Sequence, residues 1–133
     1  MLFGQEHVER YRATAGEEGH DWNGTQTLIL TTTGRRSGQR RDTPLIYGRS
    51  NGSYLVVASK GGADEPPAWY RNLQAEPEAE IQVWGDRMKV RAREASDDEK
   101  PELWKEMTSH WSAYDEYQAK TSRRIPVVVL EPA

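Results

Sequence analysis

The chain has 133 residues and a formal net charge of −3; 29% of its residues are charged and 35% are hydrophobic. This balance is typical of one small globular domain, and no apolar run approaches the roughly 20 residues that a membrane-spanning helix needs. Cysteine is absent and the three histidines are scattered, so disulfides, thiolate chemistry and a zinc or iron site are not expected. The N-terminus lacks a secretory signal pattern, which predicts a cytoplasmic protein.

The first 24 residues are predicted to form an N-terminal helix over 3–15, followed by a mobile, glycine-punctuated connection over 16–24. From residue 25 onward, the sequence changes to β-branched and apolar runs separated by short turns. We therefore expect a single β-domain to span residues 25–133.

Six strands are predicted in this domain, over 27–33, 43–48, 53–59, 79–85, 86–94 and 125–130. Short turns join the first three, and the Asn51-Gly52 pair is a strong hairpin signal, so these three strands are expected to form an antiparallel meander. Two or three helices accompany the strands. The pattern predicts a mainly β, α+β fold built as a six-stranded antiparallel barrel with flanking helices.

Two helices have recognisable starts. Asp64 or Glu65 could cap a helix that Pro66 or Pro67 opens and that continues through the segment AWYRNLQA. The later segment 96–99 reads as a capping box, which predicts a helix over about 97–120 with a break near Ser109.

The turn between the first two strands carries four arginines within the stretch TTTGRRSGQRR, residues 31–41. Gly34, Ser37 and Gly38 allow the backbone to turn tightly and to present N–H groups to an anion. The guanidinium groups match phosphate or carboxylate oxygens in pairs. A solvated surface hairpin and a nucleic-acid contact are alternatives, although the acidic chain and the absence of an aromatic strand pair count against nucleic acid.

A second glycine turn follows the strand 53–59 and leads into the proline-opened helix. Consecutive glycines at a strand end let the backbone approach a flat ring closely, with Ser59 and Lys60 at the edge of that ring. Free N–H groups at the helix start, near Ala68 and Trp69, could bind an anionic group. Taken alone, this segment is also compatible with ordinary loop chemistry.

An aromatic stripe lies on the last helix, where Trp111, Tyr114 and Tyr117 recur at intervals of three. These residues could form the packed face of the helix. Alternatively, they could cover a planar ligand, because tyrosine and tryptophan combine flat apolar area with a hydrogen-bond donor.

Three segments together resemble the deazaflavin-dependent nitroreductase family of actinobacteria, which are split β-barrel oxidoreductases that use coenzyme F-420, an 8-hydroxy-5-deazaflavin. The segments are TLILTTTGRRSGQRRDTPLIYG, YLVVASKGGADEPPAWYRNLQAEPE and YDEYQAKTSRRIPVVVLEP, which span about residues 25–132. The resemblance implies an FMN-binding-like split barrel. Trp111 stands where some members of that family carry tyrosine, which changes the donor pattern of the substrate lid.

The resemblance also implies roles for individual residues. It implies that the arginine turn holds the phosphodiester and the start of the oligoglutamate tail, and that the second turn lies beside the deazaflavin ring. Ser59 and Tyr114 are implied as catalytic, and Trp111, Tyr114 and Tyr117 as substrate-binding. The implied cofactor-binding residues are Arg35, Arg36, Ser37, Gly38, Arg41, Thr43, Pro44, Ser59, Lys60, Gly61, Gly62, Ala68, Trp69, Arg71 and Asn72.

The activity implied by the resemblance is hydride transfer from reduced F-420 to an electron-poor small molecule, such as a quinone, an activated enone or a nitroaromatic. The alternatives are the same barrel with FMN or haem, and a non-catalytic carrier of a cofactor or an acyl ligand. No nucleic-acid partner is expected. A homodimer and a peripheral location at the inner face of a membrane are compatible with the sequence.

Overall fold

The computed structural model describes all 133 residues. It contains four α-helices, eight β-strands and one 3-10 turn at Lys60–Gly62. In chain order the elements are α1 (Gly4–Ala13), β1 (Asp21–Trp22), β2 (Thr25–Thr33), β3 (Arg40–Ile46), β4 (Gly48–Ser50), β5 (Ser53–Val57), α2 (Ala68–Ala75), β6 (Glu78–Val83), β7 (Asp86–Glu94), α3 (Lys100–His110), α4 (Ala113–Ala119) and β8 (Val127–Pro132).

All strand pairs are antiparallel, and the sheet curls into a half-barrel with the order β3-β2-β6-β7-β8-β5-β4, while β1 pairs with the start of β2. The two edge strands, β3 and β4, are consecutive in the chain and are joined through Tyr47. The predicted mainly β, α+β architecture is therefore confirmed. There are eight strands rather than six, because the short strands β1 and β4 were not predicted.

The predicted meander of the first three strands is wrong. β2 and β3 do pair, but β5 pairs with β8 and with β4 instead of β3. Four of the five residues of β5 are buried, whereas the first three residues of β3 are exposed. A strand that is apolar on both faces is more stable inside the sheet, and the polar β3 is better placed at an edge.

The core lies on both faces of the sheet. Along β5, Tyr54 and Val56 belong to the cluster that packs against α2, whereas Leu55 and Val57 belong to the cluster under α3 and α4. This alternation follows from the period of two residues along a strand. The final strand β8 lies between β7 and β5, inside the sheet.

The segment between α1 and β2 is packed rather than loose. His20 is buried: its Nδ1 donates a hydrogen bond to the Asp21 carboxylate at 2.8 Å, and its Nε2 is hydrogen-bonded to the Tyr47 hydroxyl at 2.8 Å. The His20 ring stacks on Trp84 at a centroid distance of 3.8 Å. The hydroxyl of Tyr11 in α1 donates to the carbonyl oxygen of Thr27. The N-terminal 24 residues are therefore joined to the barrel by buried contacts.

The helices begin and end close to the predicted residues. α2 starts directly after Pro67, without a side-chain cap from Asp64 or Glu65. The capping box is present, because the Ser96 N–H donates to Glu99 Oε2 at 2.8 Å; the hydrogen bonds from Arg93 and Ser96 lower the pKa of Glu99 to about 2. The predicted break occurs between α3 and α4, two residues later than expected. None of the helices has both the length and the apolar character required to cross a bilayer.

Candidate cofactor and acceptor site

The first cavity, which we call the arginine cavity, has a volume of about 420 Å³ and lies between the turn 34–39 and the start of α2. Backbone hydrogen bonds close the turn, from Gly34 N–H to the Gln39 carbonyl at 2.7 Å and from Gly38 N–H to the Gly34 carbonyl at 2.8 Å. The cavity is lined by Gly34, Arg35, Arg36, Ser37, Arg41, Asp42, Thr43, Ala68, Trp69 and Asn72.

Asn72 orients one of the arginines in this cavity. Its Oδ1 accepts hydrogen bonds from the Arg35 backbone N–H at 3.2 Å and from the Arg35 guanidinium at 2.9 Å, and its amide donates to Thr32 in β2 at 3.1 Å. Asn72 is buried, so its hydrogen bonds fix the position of the arginine turn relative to α2. The guanidinium groups of Arg36 and Arg41 make no hydrogen bond or ion pair within the chain, and both remain available to an anion.

The single carboxylate that lines the arginine cavity is neutralised from outside it. Arg12 in α1 donates to Asp42 Oδ1 at 3.0 Å, to Thr31 Oγ1 at 3.0 Å and to Gln82 Oε1 at 2.7 Å. Asp42 therefore does not cancel the positive charges of the arginines that line the cavity, which are Arg35, Arg36 and Arg41. This donor set fits a ligand with several negative charges.

The second cavity, which we call the apolar cavity, has a volume of about 350 Å³. Ten of its eighteen lining residues are hydrophobic. The predicted site residues that line it are Pro44, Ser59, Lys60, Gly61, Trp69, Trp111, Tyr114 and Tyr117. A mostly apolar cavity with a few polar groups is typical of a site for a small organic molecule.

The two cavities adjoin. Trp69 lines both of them, and on β3 Thr43 lines the arginine cavity while the next residue, Pro44, lines the apolar cavity. The arginine turn and the turn at Lys60–Gly62, which we call the diglycine turn, therefore face one continuous cleft rather than separate sides of the domain. Such a cleft can accept one long molecule with an anionic end and a flat end.

The diglycine turn is held by Arg123, which the sequence analysis did not identify. Its guanidinium donates to the carbonyl oxygens of Ala58, Ser59 and Ala63 at 2.8–3.2 Å. Gly61 and Gly62 both have positive φ, at +64° and +87°. Because the turn is clamped on its carbonyl side, its other side is presented to the cavity in a fixed position.

The aromatic stripe both packs and lines the cavity, so the two alternatives left open by the sequence are combined. Tyr114 is only 5% exposed, belongs to the core under α3 and α4, and also lines the apolar cavity. Its hydroxyl has no hydrogen-bond partner within the chain, and burial raises its pKa above the ordinary value of 10.0. The Tyr117 hydroxyl accepts a hydrogen bond from Trp111 Nε1 at 3.3 Å. Tyr114 therefore offers a neutral hydroxyl to a ligand.

Three residues implied by the resemblance do not line either cavity. Gly38 closes the arginine turn, Gly62 is buried against the backbone of Tyr117, and Arg71 is exposed on α2. Conversely, several residues that line the apolar cavity were not predicted; they are Leu2, Phe3, Gly4, His7, Trp22, Thr27, Leu45, Ile46, Val57 and Pro67. Five of these ten belong to the N-terminal 24 residues. The apolar pair Leu2-Phe3 ahead of an otherwise polar helix was the available signal.

Comparison with known proteins identifies the family of this chain. The sequence model of the F420H(2)-dependent quinone reductase family matches residues 3–132. The chain belongs to this family. A quinone reductase of this family from Mycobacterium tuberculosis is 43% identical over 128 residues, which cover 93% of this chain and 86% of the relative.

Two solved structures are similar to this family member, and the description of the first supports the same assignment. A protein described as an F420-H2 dependent reductase is 40% identical, has a TM-score of 0.73 and covers 79% of this chain and 93% of its own. A protein described as a domain-swapped dimer is 36% identical, has a TM-score of 0.77 and covers 96% of both chains. The resemblance inferred from the sequence segments and the split-barrel fold are thereby confirmed.

Proposed function

We propose that this chain binds reduced coenzyme F-420 and transfers a hydride from it to a quinone. The observation that carries the proposal is the continuous cleft, with unpaired arginines at one end and a mostly apolar cavity at the other. Membership of the F420H(2)-dependent quinone reductase family supports the choice of F-420 over FMN or haem.

The residues of the cleft fit the chemical parts of F-420. Arg36 and Arg41 have no partner within the chain and can bind the phosphodiester and glutamate carboxylates of the tail, while Arg35 is already oriented by Asn72. The deazaflavin ring fits the apolar cavity beside Lys60 and Gly61, where a glycine leaves room for a flat surface. When bound, reduced F-420 supplies a hydride from the C5 carbon of its ring.

The residues of the chain hold the reactants in position and offer hydroxyl groups to the acceptor. Trp69, Trp111 and Tyr117 line the apolar cavity and exclude water from the reacting atoms. The hydroxyls of Ser59 and Tyr114 have no partners within the chain, although both residues are buried. We assign to them hydrogen bonds to the acceptor oxygen on which negative charge develops.

Replacing Tyr114 by phenylalanine tests this assignment. We expect turnover at saturating cofactor to fall about two- to tenfold, because one neutral hydrogen bond contributes about 0.5–1.5 kcal/mol. The dissociation constant for F-420 and the melting temperature should change little, since the ring still fills the core under α3 and α4. Unchanged turnover in Tyr114→Phe, measured by oxidation of reduced F-420 with a soluble quinone, would contradict this role.

Arg12 and Asp42 provide a test of the electrostatics of the arginine cavity. We expect Arg12→Met to weaken F-420 binding about tenfold, because the unpaired Asp42 carboxylate then repels the tail. The double variant Arg12→Met, Asp42→Asn should recover affinity to within about threefold of the wild type. Wild-type affinity for F-420 in Arg12→Met, or no recovery of affinity in the double variant, would show that repulsion by Asp42 does not control binding. Fluorescence titration measures all three proteins.

The proposed function is tested by titrating the protein with F-420 and with FMN, and by assaying quinone reduction. We expect F-420 to bind at least tenfold more tightly than FMN, and a quinone to be reduced with one equivalent of reduced F-420 consumed. Binding without turnover would indicate a carrier, and tighter binding of FMN would overturn the cofactor assignment. Activated enones and nitroaromatics are proposed as further acceptors and are compared in the same assay.

We also propose that the chain acts as a homodimer in the cytoplasm, at the inner face of a membrane. A domain-swapped dimer is described for a relative that is 36% identical. Met1 and Phe3 expose large apolar side chains next to the apolar cavity, where a lipid-soluble acceptor would enter. Sedimentation analysis tests the dimer, and cell fractionation tests the location.

A further inference from the structure

His7 is a buried titratable residue of the apolar cavity for which the proposed reaction has no role so far. It lies in α1, is 3% exposed and lines the cavity that also contains Ser59 and Tyr114. Its Nε2 lies 2.9 Å from the carbonyl oxygen of Gly19. A carbonyl oxygen can only accept, so Nε2 carries a hydrogen and donates it. The imidazole is therefore held in one tautomer.

The packing around His7 shows which edge of the ring faces the protein. A Cβ at Gly19 would lie 2.9 Å from His7 Cδ2 and 3.0 Å from Nε2, so this edge is in close contact with the chain. The Thr27 hydroxyl donates to the same Gly19 carbonyl oxygen at 2.6 Å and so helps to hold that oxygen in place. The Nδ1 atom belongs to the opposite edge of the ring.

Nδ1 has no hydrogen-bond partner within the chain. Every fully buried side-chain nitrogen and oxygen in this protein has such a partner, so Nδ1 must be open to accessible space. The accessible space that His7 borders is the apolar cavity. A nearly buried imidazole with one nitrogen fixed and the other free is the arrangement that proton transfer requires.

We propose that His7 Nδ1 binds the acceptor oxygen and delivers the proton that completes reduction of the quinone to the quinol. This inference rests on the proposed function. The two electrons reach the quinone as a hydride and leave a quinol anion with one proton missing. The Nδ1–H bond of the imidazolium then breaks as the second O–H bond of the quinol forms. Water reprotonates the neutral imidazole and takes up the proton that the oxidised cofactor releases.

Other titratable groups near His7 are less suited to this step. Lys60, Tyr114 and Tyr117 line the same cavity, and the ring of Tyr11 lies 6.3 Å from the His7 ring. Burial raises the pKa of both Tyr11 and Tyr114, to about 12 for Tyr11, so each keeps its proton and is a poor source of the proton that the acceptor needs. Lys60 lies at the exposed edge of the cleft.

The test compares His7→Gln, His7→Ala and His20→Gln with the wild type by single-turnover oxidation of bound, reduced F-420 with a soluble quinone. Glutamine can still donate to the Gly19 carbonyl but cannot carry a proton to the acceptor. We expect His7→Gln to slow the single-turnover rate about 100-fold, in line with general acid catalysis, and to bind F-420 within threefold of the wild type. Added imidazole should raise the single-turnover rate of His7→Ala at least tenfold.

His20→Gln is the matched control, because His20 is also a buried histidine of the N-terminal segment but lines neither cavity. It should lower the melting temperature and leave the single-turnover rate within threefold. A rate for His7→Gln within threefold of the wild type, equal losses in His7→Gln and His20→Gln, or no rescue by imidazole would overturn the inference. Failure of the wild type itself to bind F-420 or to reduce quinones would instead overturn the proposed function.

Discussion

Replacing Arg36 and Arg41 together by alanine is expected to weaken F-420 binding by at least 100-fold. Each guanidinium lines the arginine cavity without a partner in the chain, and a hydrogen bond to a charged group contributes about 1.5–3 kcal/mol. Each single variant should therefore lose about ten- to 100-fold. Arg35→Ala should lose a similar amount, because it removes the guanidinium that Asn72 orients. Fluorescence titration at fixed ionic strength measures these constants.

Arg40→Ala is the control for the loss of positive charge. Arg40 is the exposed first residue of β3, next to Arg41, but does not line the cavity, and its nearest carboxylate is that of Glu80 at 3.8 Å. It should bind F-420 within about threefold of the wild type. A deazaflavin without the phosphodiester tail should bind all variants equally. If Arg40→Ala weakened binding as much as Arg36→Ala and Arg41→Ala do, the effect would be general electrostatic attraction and not a specific contact.

Alanine at Gly62 is expected to destabilise the protein by about 3 kcal/mol, whereas alanine at Gly61 should cost only about 1 kcal/mol. At Gly62 the φ of +87° is unfavourable for alanine, and its Cβ would lie 2.7 Å from the carbonyl oxygen of Tyr117 in α4. At Gly61 the φ of +64° lies in the left-handed region and a Cβ would meet nothing within 4 Å. Chemical denaturation measures both free energies of unfolding.

In ligand binding the order should be reversed: Gly61→Ala should weaken F-420 binding more than Gly62→Ala does. The space beside Gly61 belongs to the apolar cavity, so Gly61→Ala is expected to weaken F-420 binding at least tenfold while the protein remains folded. Gly62 lies outside the cavity lining, and its effect should come from the displaced contact between the turn and α4. Equal stability of the two variants would contradict the proposed packing. Unchanged F-420 affinity in Gly61→Ala would contradict the proposed position of the ring.

The sequence alone was sufficient for features that depend on near neighbours in the chain. The Asn51-Gly52 pair does join two strands, with both residues at positive φ, and the capping box does precede α3. The arginine turn and the diglycine turn were identified because glycine, serine and arginine at short spacing have local backbone and charge consequences. The family was also identifiable from three short segments.

Only the tertiary structure decided which of these local features meet. The bond between Asn72 and Arg35 joins residues 37 positions apart, and the contacts of Arg12 with Asp42 and Gln82 join α1 to β3 and β6. Likewise, β5 pairs with β8 because its buried faces favour the inside of the sheet.

The N-terminal segment shows the same division between local and long-range information. Its sequence predicts a short polar helix and a loose connection, yet His7 and Trp22 line the apolar cavity once the segment packs on β2. Periodicity and turn chemistry report on residues a few positions apart. The partner of an exposed or half-buried side chain depends instead on which surfaces are brought together by burial, and that is a property of the folded chain as a whole.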